Sequence, residues 1–199
     1  VFIRSGVRYD YLIKAKDGEK FLEELCKYHI SGQLKIAPEH ISDNTLKAMG
    51  KSPKKFYEKF VEMFEKTNNR LNVKQYLVPY FMSSHPGTNL KDAIELAVFL
   101  KKHNYKIRQV QDFIPTPGTI STAMYYTSIN PLTGEKIYVP KSKEEKLMQR
   151  ALLQYWDEKN YDLVKKALTI SKRNDLIGYD KNALIKPIKK DIKKNRKKV

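Results

Sequence analysis

With 199 residues, 41% of them hydrophobic, the chain is long enough to bury a sizeable core, yet no apolar run approaches the length needed to span a bilayer. Its single cysteine, Cys26, excludes a disulfide within the chain and suits a reducing compartment, so a cytoplasmic protein is expected. The formal charge of +17 invites a nucleic-acid partner, but a net +7 of it lies between Lys186 and Val199, and the rest is spread over helical surface.

Val1–Arg4 reads as a short strand followed by the loop SGVRYD. Because the sequence starts inside that strand, without Met and without a signal peptide, it is expected to be a piece of a longer protein. Gly18–Ile30 is predicted helical, with Phe21, Leu22, Leu25, Cys26 and Tyr28 on one broad apolar face. On that face the thiol reads as inert core. Gln33–Ala37 is a second strand, ending at Pro38, Glu39 and His40. Ser42–Met49 is a short helix closed by Gly50. Ser52-Pro53 starts another, with serine as N-cap and proline in the first turn, and Phe56, Phe60, Met63 and Phe64 form its core-facing stripe.

The central stretch is Lys74–Thr88. Its apolar run, Tyr76, Leu77, Val78, Tyr80 and Phe81, is expected to be a strand covered on both faces, as in a parallel sheet. The run breaks into Ser83, Ser84, His85, Pro86 and Gly87. A helix over Asn89–Asn104, capped by Asn89, follows, then a strand over Lys106–Ile114 and the loop IPTPGTISTA. This strand–helix alternation argues for an α/β fold with a parallel sheet and right-handed crossovers. Three or four such units do not close a barrel, so either more lie upstream or the sheet is open. Beyond Tyr125 come turn signals around a short strand, Lys136–Val139, then a capping box of Ser142 and Glu145. That box opens a helix with Leu147, Met148, Ala151, Leu152 and Tyr155 on its apolar face, and a further helix covers Asn160–Ser171. The expected division is 1–124 for the α/β part, 125–185 for a small, mostly helical accessory module, and 186–199 for a basic, disordered tail.

Three strand ends share one design: Ser5-Gly6-Val7-Arg8, Ala37-Pro38-Glu39-His40 and Ser83-Ser84-His85-Pro86-Gly87. In a parallel sheet or barrel these fall on the C-terminal rim, where α/β folds place their chemistry, and convergent polar groups there suit a small-molecule crevice. Singly, each has a structural alternative. His85 could hydrogen-bond a neighbouring loop, and Glu39 and His40 could cap the next helix. Two His and a Glu could also ligate a metal, although no HxH pair or clustered Asp supports this. No phosphate-binding glycine loop, dinucleotide fingerprint or nucleophile elbow is present.

The segments SGVRYD, LKIAPEH, QYLVPYFMSSHPGT and MYYT, in this order and with LIG at 176–178, closely resemble the C-terminal half of the YgiQ-type radical S-adenosylmethionine (SAM) proteins. The likeness runs from Val1 to about Pro187. More distantly the pattern is similar to methylthiotransferase-type radical SAM enzymes. Leu46, Lys47 and Met49 match LKxM there; Pro86, Gly87 and Thr88, and later Pro117, Gly118 and Thr119, match two PG-containing loops. The Glu39-His40 and Ser84-His85 pairs depart from that second pattern.

The resemblance implies a partial TIM-like barrel, of which residues 1–124 supply the last three strand–helix units. It implies a [4Fe-4S] cluster on a CxxxCxxC loop upstream of this piece, and an electron donor such as flavodoxin or ferredoxin. It also implies reductive cleavage of SAM to a 5′-deoxyadenosyl radical acting on an unknown substrate. Carried over by position, Ser5 and Arg8 would face the ribose or carboxylate of SAM. Leu34, Ile36 and Ala37 would lie along the adenine with Glu39 at its polar edge, and Tyr80 and Met82 would close over it. His40, Ser84 and His85 would face the substrate. No metal ligand and no catalytic residue is assigned within the piece, which alone should be inert. Two rivals remain open: a metal-dependent barrel hydrolase, and an RNA-binding protein using the Lys-rich tail with Tyr125, Tyr126 and Tyr138.

Overall fold

In the computed structural model, which describes residues 1–188, contacts divide the chain into two units, Val1–Phe81 and Met82–Val199. The first contains α1 (Tyr9–Lys14), α2 (Gly18–Glu24, continued by a π turn, Leu25–His29), β1 (Gln33–Glu39), α3 (Asp43–Ala48), α4 (Lys54–Leu71) and most of β2 (Tyr76–Ser83). Helix α4 places Tyr57, Phe60 and Phe64 on one side, all buried, and ends at Asn72, whose left-handed backbone (φ 51°) asparagine tolerates. Tyr57 meets Phe81 edge-on at 6.5 Å and Tyr9 at 5.8 Å, which ties α1 and β2 to α4. The irregular end of α2 is satisfied from outside: the Gln75 amide donates to the carbonyls of Cys26 (2.7 Å) and Ile30 (3.1 Å).

The strands form a parallel three-stranded sheet in the order β1-β2-β3, with β3 at Gln111–Asp112. Strand β1 pairs with β2 from Gln33 opposite Tyr76 to Ile36 opposite Pro79; the ladder then shifts and resumes with Glu39 opposite Phe81. One extra residue on β1 is a β-bulge, a device that re-aims the chain at strand ends. Leu34 and Ile36 are 1% exposed and belong to the core, whereas Tyr76, Val78 and Tyr80 are 64%, 38% and 39% exposed. The expectation of a strand covered on both faces therefore fails in the first unit. The alternation is real, but its outward positions carry aromatic and branched residues, so the run reads as continuous.

The second unit holds the last two residues of β2, paired with β3, then α5 (Leu90–Lys102), α6 (Ile120–Thr127), α7 (Lys143–Leu153) and α8 (Tyr161–Ile170). Ala93, Ile94 and Ala97 of α5, Ala151 and Leu152 of α7, and Val164, Ala167 and Leu168 of α8 share one core. The alanines among them, Ala93, Ala97, Ala151 and Ala167, let the three helices approach closely. Asn89 caps α5 as expected, accepting from the backbone of Lys91 and Asp92 while Asp92 accepts from the Asn89 N–H (2.9 Å).

Several expected elements differ. Val1–Arg4 is not a strand; Ile3 N–H donates to the His29 carbonyl (2.9 Å) outside any ladder. Only Gln111–Asp112 of the expected strand Lys106–Ile114 is paired, and Lys136 makes a single antiparallel bridge to Ile129. The loops SGVRYD and IPTPGTISTA contain the starts of α1 and α6. Pro53 rather than Ser52 is the N-cap of α4, and the Ser52 hydroxyl instead meets Asp10 (3.2 Å). The Ser142 hydroxyl caps the Glu145 N–H, while the Glu145 carboxylate accepts from the Tyr138 hydroxyl. Leu147, expected in the apolar face, is 42% exposed. Residues 189–199 of the expected basic tail lie outside the described residues. No helix among the described residues is long and apolar enough to cross a membrane.

Replacing Asn89 by alanine removes the side-chain half of the α5 capping box, the acceptor for the Lys91 and Asp92 N–H groups, and leaves the bond from the residue-89 N–H to Asp92 in place. We expect a loss of about 1 kcal/mol of stability, read as a lower denaturant midpoint at unchanged slope.

Candidate functional site

In the first unit the polar residues gather where β1 ends. Glu39 lies in the left-handed region at φ 63°, an uncommon conformation for a residue with a β-carbon and one that clusters at working sites. Beside this strand end is a cavity of about 310 Å³, bounded by Gly6, Arg8, Ala37, Met49, Lys51 and Ser52 among others. Lys51, which follows the closing glycine of α3, donates to the Ala37 carbonyl (2.8 Å) and pairs with Glu39 (3.4 Å). Arg8 forms two parallel hydrogen bonds to Asp10 (2.9 and 2.8 Å) and lies over the Tyr11 ring at 4.2 Å. The Arg8 bonds, helped by its charge and by Ser52, hold the Asp10 carboxyl down to about 2 against the opposing effect of burial. The same bonds raise Arg8 further.

Of the residues expected along SAM, Arg8 and Ala37 line this cavity. Ser5 is exposed, and Tyr80 sits on the open face of β2. The side chains of Leu34 and Ile36 are committed to the core, so an adenine contact there would fall to backbone groups. His40 is 2% exposed, and its Nδ1 accepts from the Ser42 N–H (3.0 Å). It shapes the turn into α3, the capping alternative that the sequence left open.

In the second unit Met82 pairs with Gln111, and Ser83 with Asp112. The chain then leaves β2 through Ser84, again left-handed at φ 62°. Residues Ser83–Thr88 are all buried; Ser84 is 1% and His85 5% exposed. Gly87, at φ 91°, donates its N–H to the Tyr138 carbonyl (2.6 Å), a turn that glycine alone makes without strain. His85 Nδ1 lies 2.6 Å from the Pro86 carbonyl, which can only accept, so Nδ1 carries the proton. Nε2 is then the acceptor for the Ser121 hydroxyl at 2.8 Å, and Phe113 packs edge-on against the ring at 5.1 Å. Desolvation lowers His85 to about 4, so the ring is neutral near pH 7.

Four participants were not legible as such in the sequence. Ser121 opens α6, Asp112 accepts from the Ser83 hydroxyl, Arg150 pairs with Asp112 (2.7 Å), and Gln149 binds the loop backbone. Only the PGT before Ser121 signalled anything there.

The chain's own residues do not fit an iron–sulfur cluster, which needs several thiolates. Cys26 is 2% exposed, and burial pushes its thiol up to about 11. Among the described residues no group of three or more His, Cys, Asp or Glu is arranged to hold a metal ion.

The fold is that of an α/β chain with buried or strained polar loops at the ends of two parallel strands. A family model described as "Domain of unknown function (DUF3362)" matches residues 108–199. A UPF0313 protein of Clostridium botulinum (strain Okra / Type B1) is 58% identical over 185 residues, 93% of this chain and 29% of that protein. A UPF0313 protein of Methanocella arvoryzae is 54% identical over 194 residues, 98% of this chain and 32% of that protein. One from Clostridium perfringens (strain SM101 / Type A) is 56% identical over 186 residues, 94% of this chain and 28% of that protein. The chain belongs to this UPF0313 family, the YgiQ-type proteins whose phrases it shares. It spans about three tenths of the length of the curated relatives it matches.

A histidine lowered by folding stabilises the native state fully above its unfolded pKa near 6.5, and that stability is lost as pH falls toward about 4. Over that window we expect His85 to remove up to about 3 kcal/mol of stability. The His85→Gln protein should show a flatter profile between pH 6.5 and 4 in denaturant titrations.

Proposed function

We propose that this chain is the SAM- and substrate-facing part of a radical SAM enzyme, with the cluster held by residues outside it. The observation that carries the reading is the pair of strand ends. Two parallel strands each leave the ladder through a non-glycine residue in the left-handed region, Glu39 and Ser84, at the end where α/β folds put their ligands. The open face of β1 and β2 supports a barrel, because strands of a partial barrel turn alternate side chains toward its interior. In this reading residues 1–124 are the last three strand–helix units and 125–185 the accessory module.

When bound, SAM supplies the radical chemistry after one-electron reduction, and the protein supplies binding, orientation and exclusion of water. Arg8 and Lys51 offer cations at the β1 cavity, and the planar fork of Arg8 suits a carboxylate. Both are already held by acids, which keeps them pointed before any ligand arrives. Carried over by position from the family, Ser5 would offer a hydroxyl to the ribose, Ala37 and Tyr80 a surface for the adenine, and Glu39 its polar edge. On the substrate side His40 and Ser84 shape the loops, and His85 acts through the Ser121 hydroxyl, which is partly exposed. An electron donor of the flavodoxin or ferredoxin kind, a cytoplasmic setting and RNA contact through the basic tail belong to the same proposal.

The test uses the full-length protein, reconstituted with iron and sulfide without oxygen. SAM and a reductant should yield 5′-deoxyadenosine; a protein with an intact cluster that yields none sinks the reading. Arg8→Ala should weaken SAM binding by about 10-fold or more, measured by calorimetry, and leave the cluster absorbance unchanged. Equal affinity would remove Arg8 from the site.

A further inference from the structure

We infer that Gln149 is a positioning residue, through which helix α7 of the C-terminal module fixes the shape of the strand-end loop that carries Ser84 and His85. Gln149 is wholly buried, and one amide group answers both ends of the loop. Its Oε1 accepts from the Ser84 N–H at 3.1 Å, and its Nε2 donates to the Thr88 carbonyl at 3.0 Å. An N–H can only donate and a carbonyl can only accept, so the two neighbours fix the amide's orientation and demand a side chain with both functions. Glutamate lacks the donor, and leucine lacks both.

The contact falls where the loop most needs it. Ser84 holds a left-handed backbone that an L-residue adopts only under constraint, and Gln149 binds the N–H of that residue. The amide is braced in turn, because Nε2 also reaches Glu145 Oε1 (3.3 Å), whose carboxylate accepts from the Tyr138 hydroxyl. The next residue makes a second clamp: Arg150 pairs with Asp112, which also accepts from the Ser83 hydroxyl. Thus two consecutive residues of α7 bracket Ser83–Thr88. The loop precedes the DUF3362 match at residues 108–199, and α7 lies within it. The module therefore forms part of the site. That the loop is a working part of the enzyme rests on the function proposed above.

The experiment compares Gln149→Leu, Gln149→Glu and Leu152→Ala in the full-length protein. Leu152 is equally buried on the same helix, in the helical core. Two readouts are taken: amide hydrogen exchange of the Ser83–Asn89 segment by mass spectrometry, and the titration of His85 by NMR with carbon-13 histidine, assigned through His85→Gln. Gln149→Leu should speed exchange in the loop by about 10-fold or more and move the His85 titration up from about 4 toward 6.5. Leu152→Ala should lower the melting temperature yet leave both readouts unchanged. Unaltered loop exchange and titration in Gln149→Leu, or equal changes in Leu152→Ala, would overturn the inference. If Gln149→Leu does not fold, Gln149→Glu carries the test. Its protonated acid can donate to Thr88, so loop protection should be higher at pH 5.5 than at pH 8, and protection independent of pH counts against the assignment. Neither readout needs a cofactor, so a protein that never binds SAM, which would defeat the functional reading, still answers here.

Discussion

A buried loop must have its backbone donors and acceptors answered from within the protein, and the second unit is arranged around meeting that demand between Ser83 and Thr88. The Ser83 carbonyl accepts from Phe113 N–H, the Ser84 N–H goes to Gln149, and Gly87 donates to Tyr138. The His85 carbonyl accepts from Thr88 N–H (2.9 Å), and Asn89 continues directly into the α5 cap. Partners thus come from the β3 segment, the 129–139 turn region and α7. Elements that look unrelated in sequence are bound together by one short loop's hydrogen-bonding needs.

The first unit solves a different problem, that of keeping cations oriented beside a cavity. A free arginine or lysine samples many rotamers and loses that freedom on binding a ligand. Arg8 is held by Asp10 and the Tyr11 ring, and Lys51 by a carbonyl and Glu39, so much of that cost is met during folding. In the site proposed above, an anion would have to compete with the Asp10 and Glu39 carboxylates already paired to Arg8 and Lys51.

Helices α4, α5, α7 and α8 were legible because they carry strong apolar periodicity and, for α5, an explicit cap. What was not legible has identifiable causes. α1 starts within SGVRYD, where Arg8 and Asp10 read as loop polarity although they pair with each other across the helix start. α6 follows a Pro- and Gly-rich stretch whose turn chemistry ends just where Thr119 caps the helix. Tyr76 and Tyr80 count as apolar in any pattern, yet they line an open face. The loop Ser83–Thr88 was found from its residues, but its burial was not, since that depends on Gln149 and Phe113, far off in sequence. A glutamine inside an amphipathic helix carries no mark of whether water or a distant backbone will be its partner.

The open face of β1 and β2 has one more consequence, for the handling of the chain. Tyr76, Val78 and Tyr80 form an outward-facing row on β2, and Lys35 of β1 stands opposite Val78 in the ladder. β1 is an edge strand of this sheet, and a lysine on an edge strand opposes its pairing with a second copy. Changing Lys35 to a neutral residue would remove that deterrent while leaving the buried side of the strand as it is.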